Sequence, residues 1–209
     1  MPQSWILPVT LHSRTVRLEP LEAKHAPGLL AAADPELFRH TAQHPPEWSV
    51  NGFEREIAAV NAIHDSVALA IVLNATNQAI GRTTFMEIRP EHRGVEIGRT
   101  WIGRAHHGTS VNPEIKYLML RHAFESLSPT AIRVQFVTGG TNLHSQTAIA
   151  KLGAVKEGVL RHQRIGYVMD SPEPHIRDAV YYSILAAEWP AAKQRLEARI
   201  AVFPVPPRA

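Results

Sequence analysis

The sequence contains no cysteine. That excludes a disulfide framework, a cysteine-ligated metal and a cysteine nucleophile, and with the last the commonest acyl-enzyme route. Long apolar runs are missing too. The longest, Val67 to Leu73, has the length of a strand and is too short to cross a bilayer. Residues Met1 to Val9 include Trp5-Ile6-Leu7 but no basic segment leading into a long apolar stretch, so they do not read as a signal peptide. There is no polybasic run. The 22 Lys and Arg residues are dispersed among 19 Asp and Glu, for a formal net charge of +3. Such a balance reads as a solvated surface and carries no aromatic-basic stacking pattern for nucleic acid. A cytoplasmic protein that engages neither nucleic acid nor membrane is expected.

What is there is ordinary for a folded domain: 44% apolar and 20% charged residues, with no repeat and no linker-like break. The patterns predict a strand around Arg14 to Glu19, a helix over Glu22 to Ala33 and a short helix opened by Asp34-Pro35-Glu36. After the His44-Pro45-Pro46 break, Ser49 to His64 has apolar residues at helical spacing. Val67 to Leu73 reads as a strand buried on both faces, and Ile80 to Ile88 as its hairpin partner. A strand over Val95 to Ile102 follows, then a loop at Gly108 to Val111 and a helix from Asn112-Pro113-Glu114 to about Leu127. Next come a strand (Ile132 to Thr138), a helix (Asn142 to Leu152) closed by Gly153, two strands (Val155 to Ile165 and Arg177 to Leu185) and a last helix (Glu188 to Ile200). The expectation is one mixed α/β domain over residues 1–209, its core at about 10–200 and a proline-containing tail at 201–209.

The segment most informative about chemistry is the strand ending at Ile102 with the loop and helix behind it. A glycine loop feeding a helix aims backbone N–H groups and a positive helix end at an anion. It is neither a Gly-x-x-x-x-Gly-Lys-Ser/Thr loop nor Gly-x-Gly-x-x-Gly. It is half of a nucleophile elbow, since Gly108-Thr-Ser-Val-Asn112 lacks the second glycine; His144, His162 and His175 keep a hydrolase reading open. Strict alternation along Val95 to Ile102 places Glu96, Gly98, Thr100 and Ile102 on one face. Gly98 then clears space beside Glu96, whose carboxylate suits a general base or else a salt bridge at the sheet edge. Asn142 and Ser145 share a face at a helix start, where both also suit capping. His40 and His44 stand four apart without a third ligand, so no metal site is expected. Trp48 and Phe53 border an acceptor pocket or pack in the core; Trp5, Trp101 and Trp189 read as structural, as do Tyr181 and Tyr182.

Several motifs in order carry a family resemblance: Glu96-Ile-Gly-(x)2-Trp101, His107-Gly-Thr-Ser-Val-Asn-Pro-Glu114, Asn142-Leu-His-Ser145, Lys151-Leu-Gly-Ala154, Glu157-Gly-Val-Leu-Arg161 and Glu188-Trp-Pro190. Together they resemble the GNAT N-acetyltransferases, in particular the RimJ/RimL-like branch, from about Thr10 to Ile200. The resemblance implies a mostly antiparallel sheet with one parallel strand pair splayed to admit CoA, and acetyl-CoA as co-substrate with no metal. It implies direct acetyl transfer to a primary amine, on a small molecule or a protein N-terminus, with a homodimer allowed. A non-catalytic acyl-CoA-binding module on the same fold is the alternative. Carried over by position, Glu96 is the base and Ser145 the group that assists the departing thiolate. Trp101, Ile102, Gly103, His107, Gly108, Thr109, Ser110, Val111, Asn112, Asn142 and Ser145 are the cofactor contacts. His107 stands where the branch often has Gln. Ser110 stands where the family has Gly or Ala, and fits only if its φ is negative.

Overall fold

A computed structural model describes residues 5–38, 43–166 and 175–204. His40, most of the segment between Gly166 and His175, and residues 205–209 of the expected tail lie outside them.

The chain begins with β1 (Leu11–His12) and β2 (Val16–Pro20), then α1 (Ala26–Ala32) and α2 (Val50–Asn61). β3 (Val67–Leu73), β4 (Ala79–Arg89) and β5 (Gly94–Ile102) follow. α3 (Val111–Arg121) continues into a π turn at His122–Ser126 and leads to β6 (Arg133–Gly139). α4 (Leu143–Ala150), β7 (Val155–Gly166), β8 (His175–Leu185) and α5 (Trp189–Ala201) complete the order. The expected helix and strand types all form, with ends shifted by a few residues. β3 has the expected bounds, and its central residues are buried on both faces.

Among the described residues, eight strands form one sheet in the order β1-β2-β3-β4-β5-β6-β8-β7. Every neighbouring pair is antiparallel except β5 and β6. Two apolar layers cover the sheet. On one face Val95, Ile97 and Ile102 pack under α3 and α5 with Ile115, Leu118 and Leu196. On the other, Phe38, Phe53 and Ile57 meet Ala70 and Trp101 beneath α1 and α2.

The β5–β6 pair is short. Its register runs Gly94↔Arg133, Val95↔Val134 and Glu96↔Gln135 and stops there. Beyond Glu96, β5 continues to Ile102 and β6 to Gly139 without pairing, so the two parallel strands open like a fork toward their C-terminal ends. The expected splayed pair is therefore present. The helices after the prongs, α3 and α4, start at the open end.

Strict alternation along β5 fails. The register with β4 jumps from Arg82↔Trp101 to Thr84↔Gly98, so Arg99 and Thr100 together face Thr83. Arg99 takes φ +50° to make this bulge. The extra residue flips the parity. Val95, Ile97 and Ile102 face α3, Trp101 faces α2, and Thr100 reaches Lys116 on α3. Glu96 and Gly98 thus do not share a face with Thr100 and Ile102, contrary to the simple period-2 reading.

Candidate active site

Glu96 sits at the apex of the fork. Its residue is 2% exposed, and Gln135 Nε2 donates to its Oε2 at 3.0 Å. Gln135 is itself oriented by Arg89, whose Nη2 donates to Gln135 Oε1 at 3.1 Å. Burial pushes the Glu96 carboxyl above the ordinary carboxylate range; the Gln135 amide and the fields of Arg164 and Arg99 pull the other way but do not win. A Cβ on Gly98 would lie 3.1 Å from Glu96 Oε1 and 2.8 Å from Met86 Sδ. The glycine is what leaves that carboxylate its space. Glu96 opens into a cavity of about 440 Å³ lined also by Met86, Glu87, Arg99, Arg164 and Tyr181. Tyr181 is therefore not simply a packing residue. Tyr182 is: it is buried, and its hydroxyl donates to Gln146 Oε1 at 3.3 Å.

Two buried polar clamps hold the bulge beside Glu96. From the α2 side, Arg82 Nη1 donates to the Arg99 carbonyl at 3.3 Å. The same guanidinium donates from Nε and Nη2 to Glu56 Oε1 at 3.0 and 2.7 Å. From the α3 side, Lys116 Nζ donates to Thr100 Oγ1 at 2.8 Å, and the Thr100 and Thr83 hydroxyls meet at 2.7 Å. Burial lowers the Lys116 amine from 10.5 to about 7. The motifs do not single out Arg82, Glu56, Thr83 or Lys116. Charged residues inside apolar strand or helix patterns are the one signal that marks Arg82, Glu56 and Lys116.

At the open end, Gly103 donates its N–H to the Ile80 carbonyl at 2.8 Å, closing the β4–β5 ladder. Antiparallel pairing alternates, so Ile102 turns its own backbone groups toward the fork. Its carbonyl accepts a hydrogen bond from His107 Nε2 at 2.8 Å, which ties the loop to the strand end. Gly108 takes φ +73° and would meet nothing within 4 Å if it carried a Cβ. Ser110 is the N-cap of α3 with φ −67°, so the left-handed position falls on glycine and serine fits. Thr109 Oγ1 accepts the Val111 N–H at 3.3 Å. The N–H groups of Gly108, Thr109, Ser110 and Asn112 have no hydrogen-bond partner among the described residues. Open N–H groups at a helix start are a donor arrangement that suits an anion. The Ser110 hydroxyl faces away from them, buried 3.2 Å from Thr15 Oγ1.

At the second prong, Asn142 is the N-cap of α4, its Oδ1 accepting the Ser145 N–H at 3.1 Å. The half-buried Ser145 hydroxyl has no partner among the described residues. Trp101 commits its ring to the core, 5.2 Å from Phe38. Phe53 and Trp48 belong to the same aromatic group and do not line the Glu96 cavity. His44 turns its Nδ1 to the Pro45 carbonyl, and among the described residues no His/Cys/Asp/Glu group is arranged to hold a metal.

A parallel pair forking at a buried carboxylate, with a helix start at the tip, is the geometry the sequence motifs implied. Residues 15–155 match the Acetyltransferase (GNAT) domain. The chain belongs to the GNAT acetyltransferase family. A candidate acetyltransferase from T. thermophilus is 39% identical with a TM-score of 0.83, the match covering 94% of this chain and 99% of that one. A GCN5-related N-acetyltransferase from Brucella melitensis is 27% identical, TM-score 0.84, covering 95% and 88%. Mycobacterium smegmatis RimJ, solved in complex with CoA-disulfide, shares the GNAT fold at 20% identity and TM-score 0.71, covering 92% and 95%. No curated protein matches the chain. Among the described residues no helix is long and apolar enough to cross a membrane.

Proposed function

We propose that this GNAT chain transfers an acetyl group from acetyl-CoA directly to a primary amine, with Glu96 accepting the proton that the amine sheds. The observation that carries the reading is the register. Pairing of β5 and β6 ends at Glu96↔Gln135, so the fork opens beside a buried carboxylate that already faces a cavity.

The residues present suit acetyl-CoA. The fork admits a narrow arm, and the open N–H groups of Gly108, Thr109, Ser110 and Asn112 suit its pyrophosphate. The CoA-disulfide complex of RimJ, on the same fold, supports a CoA ligand here. When bound, acetyl-CoA supplies an activated acyl carbon and a thiolate leaving group. The Ile102 N–H faces the fork and donates to the acyl oxygen as charge gathers there. Asn142 Nδ2, without a partner among the described residues, holds the arm, and the Ser145 hydroxyl donates to the departing sulfur. Attack needs a neutral amine nitrogen; the N–C bond forms as the C–S bond breaks, and Glu96 removes the surplus proton directly or through one water. A raised Glu96 pKa makes that transfer more favourable than to an ordinary surface carboxylate.

The test is thiol release from acetyl-CoA across amine classes, run beside calorimetric titration of CoA. Amine-dependent release that falls sharply in Glu96→Gln supports the proposal. Tight CoA binding without turnover on any amine turns the reading to a non-catalytic acyl-CoA-binding module.

A further inference from the structure

Three arginines, drawn from three different strands, line the cavity that Glu96 opens into: Arg89 on β4, Arg99 on β5 and Arg164 on β7. Facing them are Glu96 and the exposed Glu87. Several arginines outside the cavity pair with a carboxylate: Arg17 with Glu19, Arg55 with Glu47, Arg104 with Asp34 and Arg133 with Glu157. The cavity set is different. No ion pair or side-chain hydrogen bond ties Arg99 or Arg164 to another described residue. Arg99 Nη1 is buried without a partner, and so is Arg89 Nε. Crowding adds to the cost. Burial lowers the Arg99 pKa, with the Arg82 charge adding to it.

The backbone is bent to build this arrangement. Five described non-glycine residues have positive φ, and three of them belong to this cavity or adjoin it: Glu87 (+49°), Arg99 (+50°) and His162 (+54°). The last makes a second bulge, where the β7–β8 register jumps from Leu160↔Ala179 to Arg164↔Arg177. His162 N–H is anchored there to Asp178 Oδ1 at 2.9 Å, with Gln163 and Arg164 presented to the cavity. Strained residues persist where surrounding structure holds them, often around ligand sites. Unpaired guanidinium groups held this way form a fork-shaped donor set for a carboxylate or phosphate.

We infer that the acceptor is a small amine carrying its own anionic group, with the anion held by Arg99 and Arg164 and the amine directed at Glu96. The inference rests on the acetyl-transfer reading above and narrows its acceptor. Both arginines act electrostatically on Glu96, so the anion and the amine sit close together, as they do within one small molecule. A polyamine would bring further positive charge against three guanidinium groups. A protein N-terminus would place a neutral amide carbonyl where the arginines offer charge. A cavity of about 440 Å³ is of small-molecule size.

The experiment compares matched pairs that differ only in the anion. L-Alanine and L-serine are run against their amides, and phosphoethanolamine against ethanolamine, with spermidine and an Ala-initiated peptide as further acceptors. The carboxylate and phosphate arms tell the two anion sources apart. The anionic member of a pair is expected to have the higher kcat/KM by on the order of 10- to 100-fold, the size of a charge-assisted hydrogen-bond contribution. Arg99→Met or Arg164→Met should bring each pair to within a few-fold. Binding is read separately, by calorimetry of the N-acetylated acid and the N-acetylated amide in the presence of CoA. The acid should bind at least ten times tighter, and lose that margin in the arginine variants. A neutral amine or polyamine as best acceptor, or equal binding of acid and amide, overturns the inference while leaving acetyl transfer intact. Preferential binding of the acid without any turnover supports the anion site and instead removes the transferase reading.

Discussion

Removing the Glu56 carboxylate separates what holds the fold from what shapes the site. Arg82 is 0% exposed and directs two N–H groups at Glu56 Oε1 and a third at the Arg99 carbonyl. Glu56→Ala leaves that guanidinium buried and uncompensated, a loss of about 3–5 kcal/mol for such pairs. Against a domain stability of roughly 5–15 kcal/mol this is a large fraction. With a urea m-value of about 2 kcal/mol/M, the midpoint should fall by roughly 1.5–2.5 M. Glu56→Gln should lose less, because its amide oxygen still accepts from Arg82. The double variant Glu56→Leu/Arg82→Met removes both charges and should regain most of the stability, since apolar replacement of a buried pair is often neutral or better. It should not regain activity: the Arg99 carbonyl has lost its donor, and the bulge beside Glu96 is held from the α3 side alone. Urea denaturation and steady-state kinetics on the same three proteins decide. A midpoint change below ~0.5 M in Glu56→Ala refutes the buried pair, and full activity in the double variant refutes its hold on the bulge.

Glu96→Gln should lower turnover by on the order of 10²- to 10⁴-fold with little change in CoA affinity, as read by kinetics and calorimetry. Ser145→Ala should cost less than Glu96→Gln, and Asn142→Ala should appear mainly as weaker acetyl-CoA binding; near-full activity in Glu96→Gln with a dead Ser145→Ala reverses the assignment. Thr109→Asp should preserve the cap on the Val111 N–H yet weaken CoA binding, because its charge competes for the open N–H groups; unchanged CoA affinity would place the phosphates elsewhere. Ser110→Asp should instead lower the melting temperature, since its carboxylate points at Thr15 and the buried Glu114 rather than at the open N–H groups. Lys116→Met should stabilise the fold at pH 7 and below. The native amine titrates near 7 and the unfolded one near 10.5, so the burial penalty grows as pH falls through that window and vanishes above it; a gain that persists at pH 11 contradicts this sign.

Much of the layout follows from local pattern. Val67 to Leu73 is apolar throughout because it lies between two covered faces, and its ends fall where the composition changes. Gly153 ends the turn after α4 with φ +91°, as its position after a helical pattern implies. The glycine turn at Gly108 and the cap at Asn142 are local as well and follow from residue type, whereas the helix expected from Asn112 starts one residue earlier, with Ser110 as its N-cap. The bulge at Arg99 was not legible. A left-handed position usually announces itself as Gly or Asn, and here an arginine holds it between two buried clamps, Arg82 of β4 backed by Glu56 of α2 and Lys116 of α3. One such residue reverses every later face assignment on the strand, so strict alternation does not give the faces of Thr100 and Ile102. The arginine cavity was hidden for a different reason. Its members lie on β4, β5 and β7, and β8 pairs between β6 and β7, an order that no neighbouring-strand pattern implies.

The same feature explains why Glu96 is raised rather than lowered although arginines surround it. Had Arg99 or Arg164 closed on the carboxylate as Arg133 does on Glu157, hydrogen bonding would have held Glu96 low, as it holds Glu157 at about 2. A carboxylate that low is a poor proton acceptor, and both partners would be spent on each other. At the fork the nearest donor is the neutral Gln135, and the guanidinium groups act only through their fields. Burial then dominates, and Glu96 keeps a higher affinity for a proton. The linkage carries a stability consequence of definite sign. A carboxyl whose native pKa is raised destabilises the fold once the unfolded group ionises, above roughly pH 4.3, and the penalty grows until the native group ionises as well. Glu96→Gln should therefore melt higher than the parent at neutral pH, with the difference shrinking toward zero as the pH falls below the unfolded value. That pairing of gained stability with lost turnover is what a base kept unpaired for its function requires, and a Glu96 held by a salt bridge would show the reverse.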